Sequence, residues 1–190
     1  MGIELLLPLA LGIGLAAATG FRVFLPLLIM GLAVKGGYMP VSSGFEWVAT
    51  TPALLMFAVA AVVEIGAYYI PVLDNLLDGV AGPLAIGAGI AVTASVLGDV
   101  PPMWKWTLAI IAGGGAAAAT QGATTLLRGT STVLTGGLGN HALATGEIFT
   151  AVLLSILAIA LPYLAAIAAI ILIIVAWRLT LRARRRRAAQ

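Results

Sequence analysis

The sequence predicts an all-α, polytopic membrane protein, built as one integral membrane domain with five or six transmembrane helices. Hydrophobic residues make up 62% of the chain and charged residues only 9%, whereas ordinary globular domains carry about 25% charged residues. A folded core could not hide this much apolar surface from water. The apolar runs have lengths near the ~20 residues that one crossing needs. A segment of small residues also occurs twice. Together these features leave no room for a soluble domain in residues 1–190.

The first apolar stretch, residues 5–34, exceeds the ~20 residues of an upright crossing. Several glycines and a proline interrupt it. The stretch is therefore either one long tilted helix or two short helices that meet near Ala18 to Arg22. The glycine-containing residues 35–50 are expected to form a loop, with Trp47 at the membrane interface.

The second crossing is predicted at residues 51–70. Thr50 or Thr51 can cap the N-terminus of this helix, and Pro52 occupies the first turn, where its missing N–H is harmless. Pro71 is expected to mark the end of the crossing.

The middle of the chain is predicted to hold a short acidic connector at residues 74–78, a third crossing at residues 79–97 and a turn at residues 98–102. A fourth crossing begins near Leu108 and passes into residues 120–146, the least apolar part of the chain. The composition of this last segment is typical of a re-entrant or pore-lining segment, which needs protein or water over its backbone. The alternative is an ordinary surface loop beside a poor helix.

The last apolar region consists of residues 147–161 and 163–177 on either side of Pro162. It is either one kinked helix or two short crossings that form a hairpin.

Two segments resemble each other and predict an internal duplication. Residues 14–22 read G-L-A-A-A-T-G-F-R and residues 115–128 read G-A-A-A-A-T-Q-G-A-T-T-L-L-R, so each run of small residues, expected to break a helix, precedes an arginine. The predicted half-repeats are residues 1–99 and 100–178, with three broken or continuous membrane elements each. Because three is odd, the second half would be inverted, as in transporters that bind their substrates near the midplane.

Arg22 and Arg128 are the main candidates for binding an anionic ligand. An arginine keeps its charge and costs at least ~2.5 kcal/mol at the bilayer centre, so each must find an anion, water or carbonyl groups. Ends of broken helices would offer backbone N–H groups to the same anion. Thr19, Thr120 and Gln121 complete the predicted substrate-binding set. The alternative is that each arginine reaches an interface or pairs with a structural carboxylate.

Glu64, Asp74 and Asp78 are the predicted coupling carboxylates. Asp74 and Asp78 are four residues apart and would share one helix face. Oxygen ligands suit hard cations, and a buried carboxylate suits proton coupling. Asp74 and Asp78 could instead cap and charge the start of the third crossing. We expect an ion pair between Arg22 and Glu64.

His141, the only histidine, is a candidate proton relay together with Glu147, six residues later. The alternative is a loop histidine with satisfied hydrogen bonds. One histidine does not make a zinc site, and the chain has no cysteine, so neither a metal site nor a disulfide is predicted. No catalytic or phosphate-loop motif is present; we therefore expect neither an enzyme nor a cofactor.

Six arginines lie between residues 178 and 187. Directly after an apolar segment, such a run is typical of stop-transfer charges rather than of nucleic-acid binding. It places the basic tail, residues 179–190, in the cytoplasm, where it can contact anionic lipid headgroups. Faces rich in small residues make a homo-oligomer plausible.

Three strings carry a resemblance to a known family: G-L-A-A-A-T-G-F-R-V-F-L-P-L-L, E-I-G-A-Y-Y-I-P-V-L-D-N-L-L-D and T-G-G-L-G-N. The chain resembles, over nearly its whole length, an uncharacterised family of bacterial membrane proteins catalogued only as a domain of unknown function, number four-one-two-six. The resemblance implies a small integral protein of the bacterial inner membrane and supplies no activity.

The leading functional hypothesis is a small multi-pass transporter or channel-like protein. Its ligand would be an anionic or zwitterionic solute or a lipid headgroup, with proton or cation coupling through buried carboxylates. The alternative is a lipid-binding or scaffold membrane protein whose charges are structural pairs.

Overall fold

The computed structural model describes residues 3–68 and 71–188, with the side chains of residues 3, 71–78, 176 and 179–188 excepted. Every regular element in these residues is helical. In chain order the helices are α1 (Leu6–Thr19), α2 (Phe24–Lys35), α3 (Thr51–Ala67), α4 (Pro71–Val96), α5 (Pro102–Leu108), α6 (Gly115–Thr135), α7 (Leu138–Ala160) and α8 (Pro162–Ala188). Two 3₁₀ helices cover Ile3–Leu5 and Glu46–Ala49, and a π-helical segment, Ala109–Gly114, joins α5 to α6.

The first apolar stretch consists of two helices, which confirms the broken alternative. The break between α1 and α2 covers residues 20–23. Gly20 allows a close approach there, since a Cβ at this position would lie 2.6 Å from the carbonyl oxygen of Ala117 and 2.6 Å from the Cβ of Thr120. The end of α1 therefore packs directly against α6, and the two similar segments of the sequence are in contact.

Thr50 caps α3, as predicted. Its hydroxyl accepts a hydrogen bond from the N–H of Ala53 at 3.4 Å. The acidic connector predicted at residues 74–78 is wrong, because these residues form the first turns of α4. Pro71 stands at the first position of that helix, where a proline is tolerated.

The predicted interruption of the second half near Thr120 is also wrong, since α6 is continuous through this residue. Small polar residues are accommodated because their hydroxyls donate to carbonyl groups one turn earlier, as in the bond of Thr120 to Ala116 at 3.0 Å. Residues 120–146 are neither a loop nor irregular, apart from a sharp turn at Gly136 and Gly137, whose φ angles are 63° and 93°. Positive φ angles favour glycine.

The helices pack around α1, which contacts α4, α6, α7 and α8. Small residues bring the backbones close together. A Cβ on Gly14 would lie 2.9 Å from the Cβ of Ala158 in α7 and 3.0 Å from that of Ala165 in α8. The apolar core includes Leu15 of α1 and Val92 of α4. α7 and α8 are separate helices, with Leu161 between them, and both pack against α1.

Gly113 in the π-helical segment has a packing reason. It lies so close to α4 that an added Cβ would meet the carbonyl oxygen of Gly89 at 2.5 Å and also the Thr93 hydroxyl. A π segment locally widens the helix, and such bulges are frequent at functional sites.

Among the described residues, two helical segments are long and apolar enough to cross a bilayer: Gly79–Val96, with a mean hydropathy of 1.6, and Leu138–Ala160, with 2.0. Shorter apolar helices cover Leu6–Thr19, Phe24–Lys35, Thr51–Ala67 and Pro162–Val175. Many large apolar side chains face outward; Val62, Ile111 and Phe149 each expose about 70% of their surface. The inverted relation of the two halves stays a prediction.

Candidate functional site

Arg22 lies in the break between α1 and α2 and is fully buried. Its Nη2 donates to the carbonyl oxygen of Ala144 at 3.0 Å and lies 3.1 Å from Oε2 of Glu147, both on α7. The Nε and Nη1 atoms have no hydrogen-bond partner among the described residues. Because arginine keeps its charge, this guanidinium is a buried cation, and its Nε and Nη1 can still donate hydrogen bonds.

Arg128 of α6 joins the same carboxylate. Its Nε donates to Oε1 of Glu147 at 3.0 Å, and its Nη2 pairs with Oε2. Both arginines therefore share Oε2, although only Arg128 binds both oxygens in the bidentate manner that gives strong guanidinium–carboxylate pairs. Arg128 and Glu147 are almost fully buried, and the two helices that carry them are neighbours joined by the Gly136–Gly137 turn.

Tyr68, at the end of α3, lies against both cations. The guanidinium carbon of Arg22 lies 3.9 Å from the centre of the Tyr68 ring and that of Arg128 lies 4.0 Å from it. These are cation–π distances, and such contacts are stronger where water is excluded. Tyr68 was not among the residues predicted from the sequence. The available signal was its position four residues after Glu64, on the same helix face.

Glu64 does not form the expected ion pair with Arg22. Its carboxylate accepts hydrogen bonds from the backbone N–H groups of Val23 at 2.9 Å and Phe24 at 3.1 Å, at the start of α2. The break between α1 and α2 leaves these N–H groups without helical partners, and the positive N-terminal end of α2 favours a carboxylate. The carboxylate beside Arg22 is that of Glu147, where Glu64 was expected.

The remaining candidates are distributed around this cluster. The Thr19 hydroxyl donates to the carbonyl groups of Ala16 and Ala85, at 2.7 Å and 3.2 Å. Thr120 and Gln121 are buried where α6 meets Gly20. Their predicted part in substrate binding stays a prediction.

Four further acidic and basic residues are His141, Asp74, Asp78 and Asp99. His141 is exposed near the start of α7. Asp74 and Asp78 have side chains outside the described part of the chain, so their coupling role stays a prediction. Asp99, in the turn after α4, is exposed and accepts hydrogen bonds from the hydroxyl and the N–H of Ser43, which hold the pKa of its carboxyl below the usual value.

Arg22, Arg128 and Glu147 are buried, and two apolar cavities lie near them. An apolar cavity of about 320 Å³ lies beside Val23 and Phe24, and another of about 180 Å³ lies beside Phe21 and Thr120. Neither is lined by Arg22. Among the described residues no group of three histidine or carboxylate side chains is placed to hold a metal ion. The cluster thus consists of two buried cations that share one buried carboxylate.

Comparison with curated proteins and with solved structures gave no match. The family model described as "Domain of unknown function (DUF4126)" matches residues 9–182. This range contains both arginines, both buried carboxylates and Tyr68. The chain therefore belongs to the DUF4126 family, as the resemblance of its sequence predicted.

Proposed function

We propose that the protein is a small multi-pass transporter of the bacterial inner membrane that binds an anionic or zwitterionic solute, or a lipid headgroup, at Arg22 and Arg128. Membrane insertion is supported by the two membrane-length apolar segments, by the shorter apolar helices and by the large apolar side chains that face outward. The arginines after residue 177 favour a cytoplasmic C-terminus.

The anion-binding proposal depends on one observation, namely that Arg22 is buried with two of its nitrogen atoms lacking a hydrogen-bond partner among the described residues. A buried cation in apolar surroundings is costly unless its donors are satisfied. Nε and Nη1 of Arg22 have no partner among the described residues, and Glu147 is shared with a second arginine. An anion at Nε or at Nη1 would supply a hydrogen-bond acceptor that the described residues do not provide.

Placement of the cluster favours transport over simple binding. Arg22 comes from a broken helix of the first half, whereas Arg128 and Glu147 come from the second half. A charged centre at the meeting of two halves, beside a helix break, is the arrangement by which many transporters hold substrates near the midplane. The burial of Arg22, Arg128 and Glu147 would suit an occluded state of such a transporter.

The test is binding and uptake with defined probes: chloride, acetate, inorganic phosphate and glycine. Purified protein is first tested for binding in detergent, and labelled probe uptake is then measured in proteoliposomes. Arg22→Ala should abolish both signals, whereas Arg178→Ala, which removes an exposed arginine, should leave them unchanged. Uptake unaffected by Arg22→Ala and by Glu64→Gln would remove these residues from the mechanism.

The second candidate function is a lipid-binding or scaffold protein, which the internal Arg128–Glu147 pair favours. In that case Arg22→Ala lowers the melting temperature and changes the binding of no solute. Mass spectrometry of lipids that co-purify with wild type and with Arg22→Ala separates the two functions. A lipid lost only from the variant would assign the site to a headgroup.

Membrane insertion has its own test, because the chain contains no cysteine. Tyr38→Cys lies in the exposed loop before α3, and Phe149→Cys lies at the centre of the apolar helix α7. In intact membranes a water-soluble maleimide should label the first variant from one side only. The second should be labelled only after denaturation, and rapid labelling of Phe149→Cys would contradict a membrane location for α7.

A further inference from the structure

Glu147 is held in the way that a bound ligand would be. Arg128 donates to both of its carboxylate oxygens, and Nη2 of Arg22 approaches Oε2 at 3.1 Å. Side-on pairing of a guanidinium with two oxygens is how arginine recognises a free carboxylate. The two arginines therefore hold the Glu147 carboxylate as they could hold a free carboxylate.

We infer, building on the proposed anion-binding function, that Glu147 occupies the position of the substrate, that the substrate is a small monocarboxylate, and that one proton joins Glu147 for each substrate bound. The Tyr68 ring covers both guanidinium groups, and Ala144 is buried beside Arg22. The Glu147 side chain is itself a carboxylate on two methylene groups, so its displacement would free the volume of a monocarboxylate with a short substituent.

Arg22 provides the first contact for the incoming anion. Its Nη2 holds Glu147 and Ala144, while Nε and Nη1 have no partner among the described residues. A substrate carboxylate can therefore bind Arg22 before Glu147 leaves. It then replaces Glu147 on Arg128, and neither guanidinium is left without a counter-charge during the exchange.

The proton follows from the cost of burying an unpaired carboxylate. Once displaced, Glu147 would have no cation beside it, so a buffer acid in the surrounding water gives up a proton by breaking its own bond to hydrogen, and that proton forms an O–H bond on the carboxylate. No group is oxidised or reduced. Glu64 does not replace it on the arginines, because its oxygens are engaged by the N–H groups of Val23 and Phe24.

The ionisable groups around Glu147 come from several elements. Arg128 faces it from α6, Arg22 from the α1–α2 break, and Tyr68 and Glu64 from α3. On α7 itself the other titratable side chain is the exposed His141. On α2 and on the described part of α8, the ionisable side chains are exposed: Lys35, Tyr163 and Arg178. Asp74 and Asp78 of α4 have side chains outside the described part.

The experiment is calorimetric titration of the purified full-length protein with sodium acetate, in buffers that differ in ionisation enthalpy. This measures how many protons are taken up for each acetate bound. Wild type should take up about one proton per acetate, and its affinity should fall about tenfold per pH unit where Glu147 is ionised before binding. Glu147→Gln should bind acetate without proton uptake and with equal affinity at about pH 6 and about pH 8.

Glu4→Gln is the matched control, since Glu4 is exposed, and it should behave as wild type. Acetate binding without proton uptake in wild type, or with undiminished uptake in Glu147→Gln, overturns the role of Glu147 and leaves the proposed function standing. Binding of chloride or phosphate without acetate overturns the substrate class. Absence of binding for every probe overturns the proposed function as well. If Glu147→Gln does not fold, the proton count of wild type decides alone.

Discussion

Replacement of Gly20 by alanine tests the contact on which the candidate site depends. Gly20 has a φ of −71°, so its backbone suits alanine and the effect comes from packing alone. The new methyl group would lie 2.6 Å from the carbonyl oxygen of Ala117, 2.6 Å from the Cβ of Thr120 and 3.0 Å from the N of Gln121. Two of these are backbone atoms of α6, which cannot rotate away.

The expected cost is that of overpacking a tight contact, about 1–3 kcal/mol. For a chain of this length each kcal/mol corresponds to roughly 2–4 °C in the melting temperature. At a cost of about 2 kcal/mol, Gly20→Ala should therefore melt roughly 4–8 °C below wild type. Because Arg22 is two residues away, a displaced break should also weaken acetate binding.

Gly122→Ala is the matched control, because Gly122 lies on α6, in the neighbouring segment, and a Cβ there would meet nothing within 4 Å. Alanine is up to about 1 kcal/mol better than glycine inside a helix, so this variant should melt at or above the wild-type temperature. Both melts are followed by circular dichroism in the same detergent. A Gly20→Ala protein as stable as Gly122→Ala would refute the close contact between α1 and α6.

Three further outcomes are expected. Glu64→Gln should cost about 0.5–2 kcal/mol, because the amide can accept only one of the two hydrogen bonds at the start of α2, while Glu4→Gln should cost nothing measurable by thermal unfolding. Arg128→Lys keeps the charge but cannot bind both oxygens side-on, so acetate affinity should fall at least about tenfold; equal affinity would show that charge alone matters. Asp99 has a lowered pKa in the folded state, so its stabilising contribution is present above the unfolded pKa and is lost as the pH falls through the folded value. Acid should therefore reduce the melting temperature of wild type more than that of Asp99→Asn, and parallel acid profiles would contradict this assignment.

Of the two helix breaks that the sequence predicted, the structure contains the one near Arg22 and lacks the one near Thr120. The break near Arg22 could be predicted because glycine and threonine interrupt an apolar stretch that is too long for one crossing. The continuous helix through Thr120 was not predicted. The Thr120 hydroxyl donates a hydrogen bond to a carbonyl group of the preceding turn, which removes the cost of burying an unpaired hydroxyl in the helix. Composition reports polarity and does not show how that polarity is satisfied.

The partners of Arg22 could not be deduced, because Ala144 lies 122 residues away and reaches it only through the packing of α7. The Arg128–Glu147 pair was within reach of sequence reasoning. These two residues stand at similar distances on either side of Gly136 and Gly137, so a tight turn there brings them level on antiparallel helices.

Glu64 and Tyr68 occupy successive turns of one short stretch of α3. The first holds the start of α2, and the second covers the paired cations. If the end of α3 moved away from the arginines, the hydrogen bonds of Glu64 to the first turn of α2 would break as well. Exposure of Arg22 and Arg128 and separation of α2 from α3 are therefore coupled. A cross-link between α2 and α3 would prevent both.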